Sequence, residues 1–134
     1  MLGRLLLTVD AMGLLLGAWF ADYNSTSHIF NPRWPPHAKF HCGQTITLST
    51  ALGAATLFLT WRPLLMSRTV PAVARDSLKM AAFTGSVYWL AGLAAILFPG
   101  ADGLDPEFGG PGFPQGPLFA VLATFGLLGS WLES

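Results

Sequence analysis

Residues 2–21 read LGRLLLTVDAMGLLLGAWFA, an apolar run whose only charges are Arg4 and Asp10. Its length is close to the ~20 residues that carry a helix across a hydrocarbon core of about 30 Å. A secretory signal shares the basic start, but its apolar region is shorter, and Asp10 interrupts this one. The stretch therefore reads as a retained membrane helix. Further apolar segments follow at about Pro36 to Trp61, Ala72 to Phe98 and Pro117 to Trp131. Pro35-Pro36 suits a helix start, Pro63 is expected to end the second segment, and Pro99-Gly100 the third. None alternates with period two, and only helices or closed barrels satisfy their backbone in lipid. The expected fold is all-α. It is a single domain over residues 1–134, a four-transmembrane-helix bundle with two polar loops on one face.

Composition agrees with lipid as the solvent. Only 10% of the 134 residues are charged and 52% are hydrophobic, whereas ordinary soluble domains carry roughly 25% charged residues. A small soluble domain has too much surface for so few charges. Zero net charge and the lack of a basic run exclude nucleic acid as an expected partner. The lone Cys42 has no internal disulfide partner and reads as a small core residue.

Charge placement sets the expected orientation. Arg4, Arg62, Arg68, Arg75 and Lys79 are five of the seven basic residues, and they fall at the N-terminus and around the second connection. The positive-inside rule puts that side, with both chain ends, in the cytoplasm. Loops 22–40 and 99–116 then share the lumenal or periplasmic face. They carry Arg33 and Lys39 but also Asp22, Asp102, Asp105 and Glu107. Asn24-Ser25-Thr26 fits the glycosylation acceptor pattern, a triplet that chance also supplies. The second loop, GADGLDPEFGGPGFPQG at 100–116, is dense in turn-forming residues and tethered at both ends, so it reads as an ordered lid.

Residues 22–41, DYNSTSHIFNPRWPPHAKFH, hold all three histidines of the chain. Histidine titrates nearest neutral pH and is the commonest metal ligand. His37 and His41 are four apart on an expected helix and so share a face, which Gln44 and Thr45 extend inward. His28 comes from the preceding loop and Asp22 from the end of the first helix. In the favoured reading, His41 with neighbouring His37 does acid–base chemistry on a lipophilic substrate, oriented by Asp105 or Glu107. Asp22 and His28 close the mouth, while Gln44, Asn31, Trp34, Tyr88 and Trp89 line the substrate. The reaction would be of isomerase, cyclase or hydrolase type, with no organic cofactor. In a second reading His28, His37 and His41 hold a transition metal, although no HExxH or CxxC pattern supports it. In a third the histidines sit at the membrane interface, bonded to loop carbonyls.

Asp10 is the other unusual residue. A charge at the middle of a membrane helix costs at least a few kcal/mol. It is expected to face a neighbouring helix as a proton relay, an inter-helix hydrogen bond or the anchor of a dimer contact. Gly13-Leu-Leu-Leu-Gly17 has the small-xxx-small spacing of close helix packing. That spacing also suits a non-catalytic alternative: a lipid- or pigment-binding accessory subunit, in a homo-oligomer or larger membrane complex. Trp34, Trp61 and Trp131, with Trp19, fall near span ends as belt residues do.

The string His28-Ile-Phe-Asn-Pro-Arg-Trp-Pro-Pro-His-Ala-Lys-Phe-His41, with Gly85-Ser-Val-Tyr-Trp89 and Asp105-Pro-Glu-Phe108, resembles a family of small integral membrane proteins of fungi and bacteria. The resemblance covers most of the chain from Asp22 to Phe108. It implies the four-helix fold and marks Asp22, His28, His37, His41, Asp105 and Glu107 as matching positions. Members often carry the label acetyltransferase, yet no motif that cradles an acyl-CoA phosphate is present here. A looser likeness, of architecture only, is to compact membrane isomerases and cyclases of sterol and terpenoid metabolism.

Overall fold

The computed structural model describes residues 1–66 and 70–133, and Arg68 of the basic cluster lies outside them. The described residues form four long helices and no strand: α1 (Leu2–Ala18), α2 (Pro36–Leu65), α3 (Pro71–Ala95) and α4 (Gly116–Trp131). A wide π turn at Trp19–Tyr23 extends α1, and a short 3-10 turn at Pro106–Phe108 sits in the second loop. Pro63 does not end α2 where the sequence suggests. The helix runs on to Leu65 because proline in the last turn removes a single donor, and Met66 N still bonds Arg62 O at 3.1 Å.

Cross-helix contacts give the direction of each element. Leu7 of α1 packs with Leu78 and Ala81 of α3 and Leu59 of α2. Farther along α1, Ser49 Oγ donates to Leu14 O, and Leu14 packs on Trp89 and Leu122. Residue numbers thus rise together in α1 and α3 and fall in α2 and α4. The helices alternate in direction around a ring, α1 beside α2, α2 beside α3, α3 beside α4 and α4 beside α1. Both loops, 24–35 and 96–115, consequently meet at one end. Asn31 and Arg33 of the first loop both bind Glu107 of the second.

The packing is inverted relative to a soluble bundle. The interior holds small and hydroxylated residues, with Ser49, Thr56, Thr60, Ser77 and Ser86 all buried. Large apolar side chains such as Leu5, Val9, Phe58, Phe83, Leu118 and Leu127 are more than half exposed. Threonine hydroxyls on α2, α3 and α4 donate to carbonyls one turn back, which hides them without water. Two helical stretches, Leu2–Tyr23 and Pro36–Leu65, are long and apolar enough to cross a membrane. The 16 residues of α4 are apolar but shorter.

Asp10 is fully buried at the centre of this ring. Trp89 Nε1 donates to its Oδ1 at 2.6 Å, so the inter-helix hydrogen bond is the role the structure displays. Burial inside the bundle removes Asp10 as an anchor between copies. Gly13 likewise faces Leu122 and Trp89 of its own bundle rather than a second molecule.

At the opposite end from the loops, Arg4 ties three elements together. Its Nε donates to Thr60 O at 3.3 Å and its Nη1 bonds Glu133 Oε2 at 2.5 Å. The Met1 amino group binds the other Glu133 oxygen. Burial pushes the Glu133 carboxyl up, but the hydrogen bonds from Met1 and Arg4 and the adjacent positive charges outweigh it, holding the group below its ordinary 4.5. A carboxyl lowered on folding stabilises the native state above its unfolded pKa and loses that contribution as pH falls through the folded value. Thermal unfolding in detergent should therefore find Glu133→Gln less stable than the parent at pH 6, with the gap closing below pH about 4.5. A gap that stays constant to pH 3 would dismiss the ion pair as its source.

Candidate functional site

The two loops roof a cavity of about 480 Å3 between α2, α3 and α4. Its polar lining is Asp22, His28, Thr45, Tyr88, Asp102 and Gln115; its apolar walls include Leu48, Ala95, Ile96, Phe113 and Phe119. The π turn after α1 is what brings Asp22 here, since the extra residue per turn swings the end of the helix toward the first loop. His28 Nε2 lies 3.6 Å from Asp22 Oδ1, and Ser27 Oγ is 2.7 Å from His28 Nδ1. Ser27 in turn contacts Ser25 Oγ at 2.6 Å. The imidazole is thus hydrogen-bonded at Nδ1 by a hydroxyl, with a carboxylate at ion-pair distance from Nε2. Trp34 packs edge-on against it with ring centroids 5.1 Å apart.

A recess of about 130 Å3 continues behind His28, lined by Ser27, Trp34, Asp102, Asp105 and Phe108 among others. Asp102 Oδ1 accepts from the backbone N–H groups of Gly103 and Gly112 at 2.8 and 2.7 Å, folding the glycine-rich loop back on itself. Gln115 Nε2 donates to Gly103 O at 2.6 Å, while its Oε1 is buried without a partner.

The structure redistributes the residues singled out from the sequence. Asp22, His28 and Tyr88 line the cavity, and Asp105 and Trp34 join at the recess. His37 and His41 do not face it. Their rings meet each other on the exposed side of α2, Nε2 to Nε2 at 3.0 Å, and Gln44 Oε1 lies 3.3 Å from His41 Nδ1. Among the described residues neither ring has a carboxylate within ion-pair distance, so His41 has no acidic orienter. The helical turn explains this: Cys42 and Ile46 occupy the inward positions of α2, which turns 37, 41 and 44 outward. Glu107 is committed to Arg33 and to Asn31 Nδ2, which donates to it at 3.0 Å. Asn31, fully buried, also accepts from Arg33 N at 2.9 Å and is a loop latch rather than a substrate contact. Trp89 is core, bonded to Asp10.

The metal reading with three histidines loses its geometry, because His28 stands with Asp22 while the other two pair elsewhere. Among the described residues no group of three histidine, cysteine or acidic side chains is placed to hold an ion. Sequence reasoning passed over Ser27, Asp102 and Gln115 as site residues. A polar side chain at the start of an apolar helix, as Gln115 is, was the available signal.

The chain belongs to a family of unknown function (DUF6640), whose model matches residues 6–133. No curated protein and no solved structure matches it.

Proposed function

We propose that the protein is an integral membrane enzyme that uses Asp22 and His28 for acid–base chemistry on a lipophilic molecule. The observation that carries this reading is the His28 imidazole, held between Ser27 and Asp22 on the wall of a largely apolar cavity. Ser27 Oγ fixes the ring at Nδ1, and Asp22, 3.6 Å from Nε2, acts on it by charge and not by a hydrogen bond, which leaves Nε2 to take a substrate proton. Thr45, Leu48, Ala91 and Ala95 line the cavity and are exposed on α2 and α3, which leaves an entrance from the bilayer side. No organic cofactor is needed for isomerisation or hydrolysis of this kind.

The lining also selects a substrate class. It includes Asp22, Asp102 and Gln115, and neither lysine nor arginine is among the described lining residues. Phosphate and diphosphate heads favour permanently cationic donors, and beside two carboxylates His28 is the one group of the described lining that can carry positive charge. A neutral hydroxyl or carbonyl, or a cationic amine, fits. An ester is the natural substrate of a second reading, in which Ser27 Oγ, 2.7 Å from His28 Nδ1, is the nucleophile.

In this reading all four helices cross the membrane, α3 and α4 running in the same layer as α1 and α2 with apolar faces outward. Arg62, Arg75, Lys79 and Arg4 lie at the end away from the cavity, which orients that end and both termini to the cytoplasm. Single cysteines at Ser27 and Val70, introduced with Cys42→Ala, should label from opposite sides of sealed vesicles. Labelling from one side only would overturn the topology. Native mass spectrometry of protein extracted with minimal detergent tests the cavity. The parent should retain a neutral or cationic lipophile that Ala95→Trp, which fills the cavity, releases. Retention of a phosphorylated lipid, or equal retention by both proteins, would refute the substrate class.

A further inference from the structure

We propose that His37 and His41 form a bidentate binding site for a divalent transition-metal ion on the outer face of α2, separate from the cavity. The two rings come from adjacent turns of one helix, and their Nε2 atoms converge to 3.0 Å. Metal–imidazole bonds of 2.0–2.1 Å at a tetrahedral angle place two ligand nitrogens about 3.3 Å apart. The pair is therefore within a few tenths of an ångström of the bite that one ion requires. Without an ion, two nitrogens this close must share a proton, one ring donating to the lone pair of the other. A metal ion replaces that proton and accepts both lone pairs.

Gln44 supplies the outer support such ligands need. Its Oε1, 3.3 Å from His41 Nδ1, accepts from that nitrogen and so leaves the Nε2 lone pair free to bind. Phe40 flanks the other ring, parallel to His37 within 9° at a centroid distance of 6.3 Å. All four side chains are exposed, so the site forms without rearranging the core, and the ion's remaining positions face outward from the bundle. No carboxylate takes part, which favours ions that prefer nitrogen, such as Zn2+, Ni2+ or Cu2+, over Mg2+ or Ca2+.

The test uses the full chain in detergent, stripped with chelator and titrated with Zn2+ alone by calorimetry. One saturable site per chain is expected. His37→Ala and His41→Ala should each weaken it at least tenfold, and Gln44→Leu by about tenfold through loss of ligand orientation. His28→Ala should leave binding unchanged, and circular dichroism confirms that each variant is folded. With Cu2+, electron paramagnetic resonance should show two nitrogen ligands in the parent and fewer in either single variant. Absence of saturable binding, or binding that survives the paired His37→Ala and His41→Ala changes, would overturn the proposal. Equal loss in His28→Ala would overturn it too, since the ion would then belong to the cavity.

Discussion

His28→Ala is expected to lower turnover of the lipophile by about 10²–10⁴-fold, the usual contribution of a positioned acid–base group. Binding of the lipophile should change little, because the apolar walls of Leu48, Phe113 and Phe119 stay in place. Asp22→Asn should act in the same direction but less strongly. It keeps the shape of the contact with His28 Nε2 while removing the charge that stabilises the protonated ring. His41→Ala is the informative contrast. From sequence His41 is the deeper histidine of a helical pair and the favoured acid–base residue. In the structure it lies outside the cavity and should leave turnover within about twofold, in line with an exposed change remote from the reacting atoms. Rates measured on the protein in nanodiscs separate the two assignments directly.

Why that assignment moved is a matter of helical phase. The i,i+4 spacing of His37 and His41 correctly places both rings on one face, but spacing alone does not say which way the face points. Cys42, Ile46, Ser49 and Gly53 settle it, since they are the buried positions of α2. Apart from Ile46 they are small and only weakly apolar, so the sequence offers little contrast between inner and outer faces. The same inversion hid the roles of the tryptophans. Trp61 donates to Thr8 Oγ1 at 3.0 Å and Trp19 to Thr50 Oγ1 at 2.9 Å, so each ties helices together at the place a belt residue would occupy. By contrast, the number of helices, their order and the meeting of the two polar loops were legible from apolar run length and proline placement alone. Asp22 and His28 were expected together at the mouth, but their direct pairing was not legible, because it depends on a single wide turn at Trp19–Tyr23.

The second large effect is structural. Gly85→Val is expected to destabilise the bundle by about 3 kcal/mol or more, the upper range for overpacking a filled interior. A Cβ at Gly85 would overlap Asp10 Oδ2 and lie 3.3 Å from Thr56 Cγ2. Neither neighbour has room to retreat. Asp10 is fixed by Trp89 Nε1 and Thr56 by its bonds to Leu52 O and Thr84 Oγ1, both at 2.8 Å. Across the ring Gly126 closes the other side, where a Cβ would overlap Ser86 Oγ. Gly43→Val, on α2 with open space around its Cβ position, is the control and should leave stability unchanged or raise it by a few tenths of a kcal/mol, since valine has the higher helix propensity. Thermal unfolding in one detergent compares the pair. Equal midpoints for the two variants would mean that the Asp10 junction is not closely packed.

Isotope incorporation gives the sharpest test of proton-transfer chemistry at Asp22 and His28. Protein in nanodiscs is incubated with a total lipid extract in heavy water, and in parallel in oxygen-18 water, and the extract is examined by untargeted mass spectrometry. One class of neutral or cationic lipophile is expected to gain solvent isotope with the parent protein and with His41→Ala, but not with His28→Ala. Deuterium on carbon identifies isomerisation through protonation and deprotonation. Oxygen-18 in a released acid identifies hydrolysis. No protein-dependent incorporation of either isotope, or equal incorporation by His28→Ala, would contradict that chemistry and leave a cavity that binds without reacting.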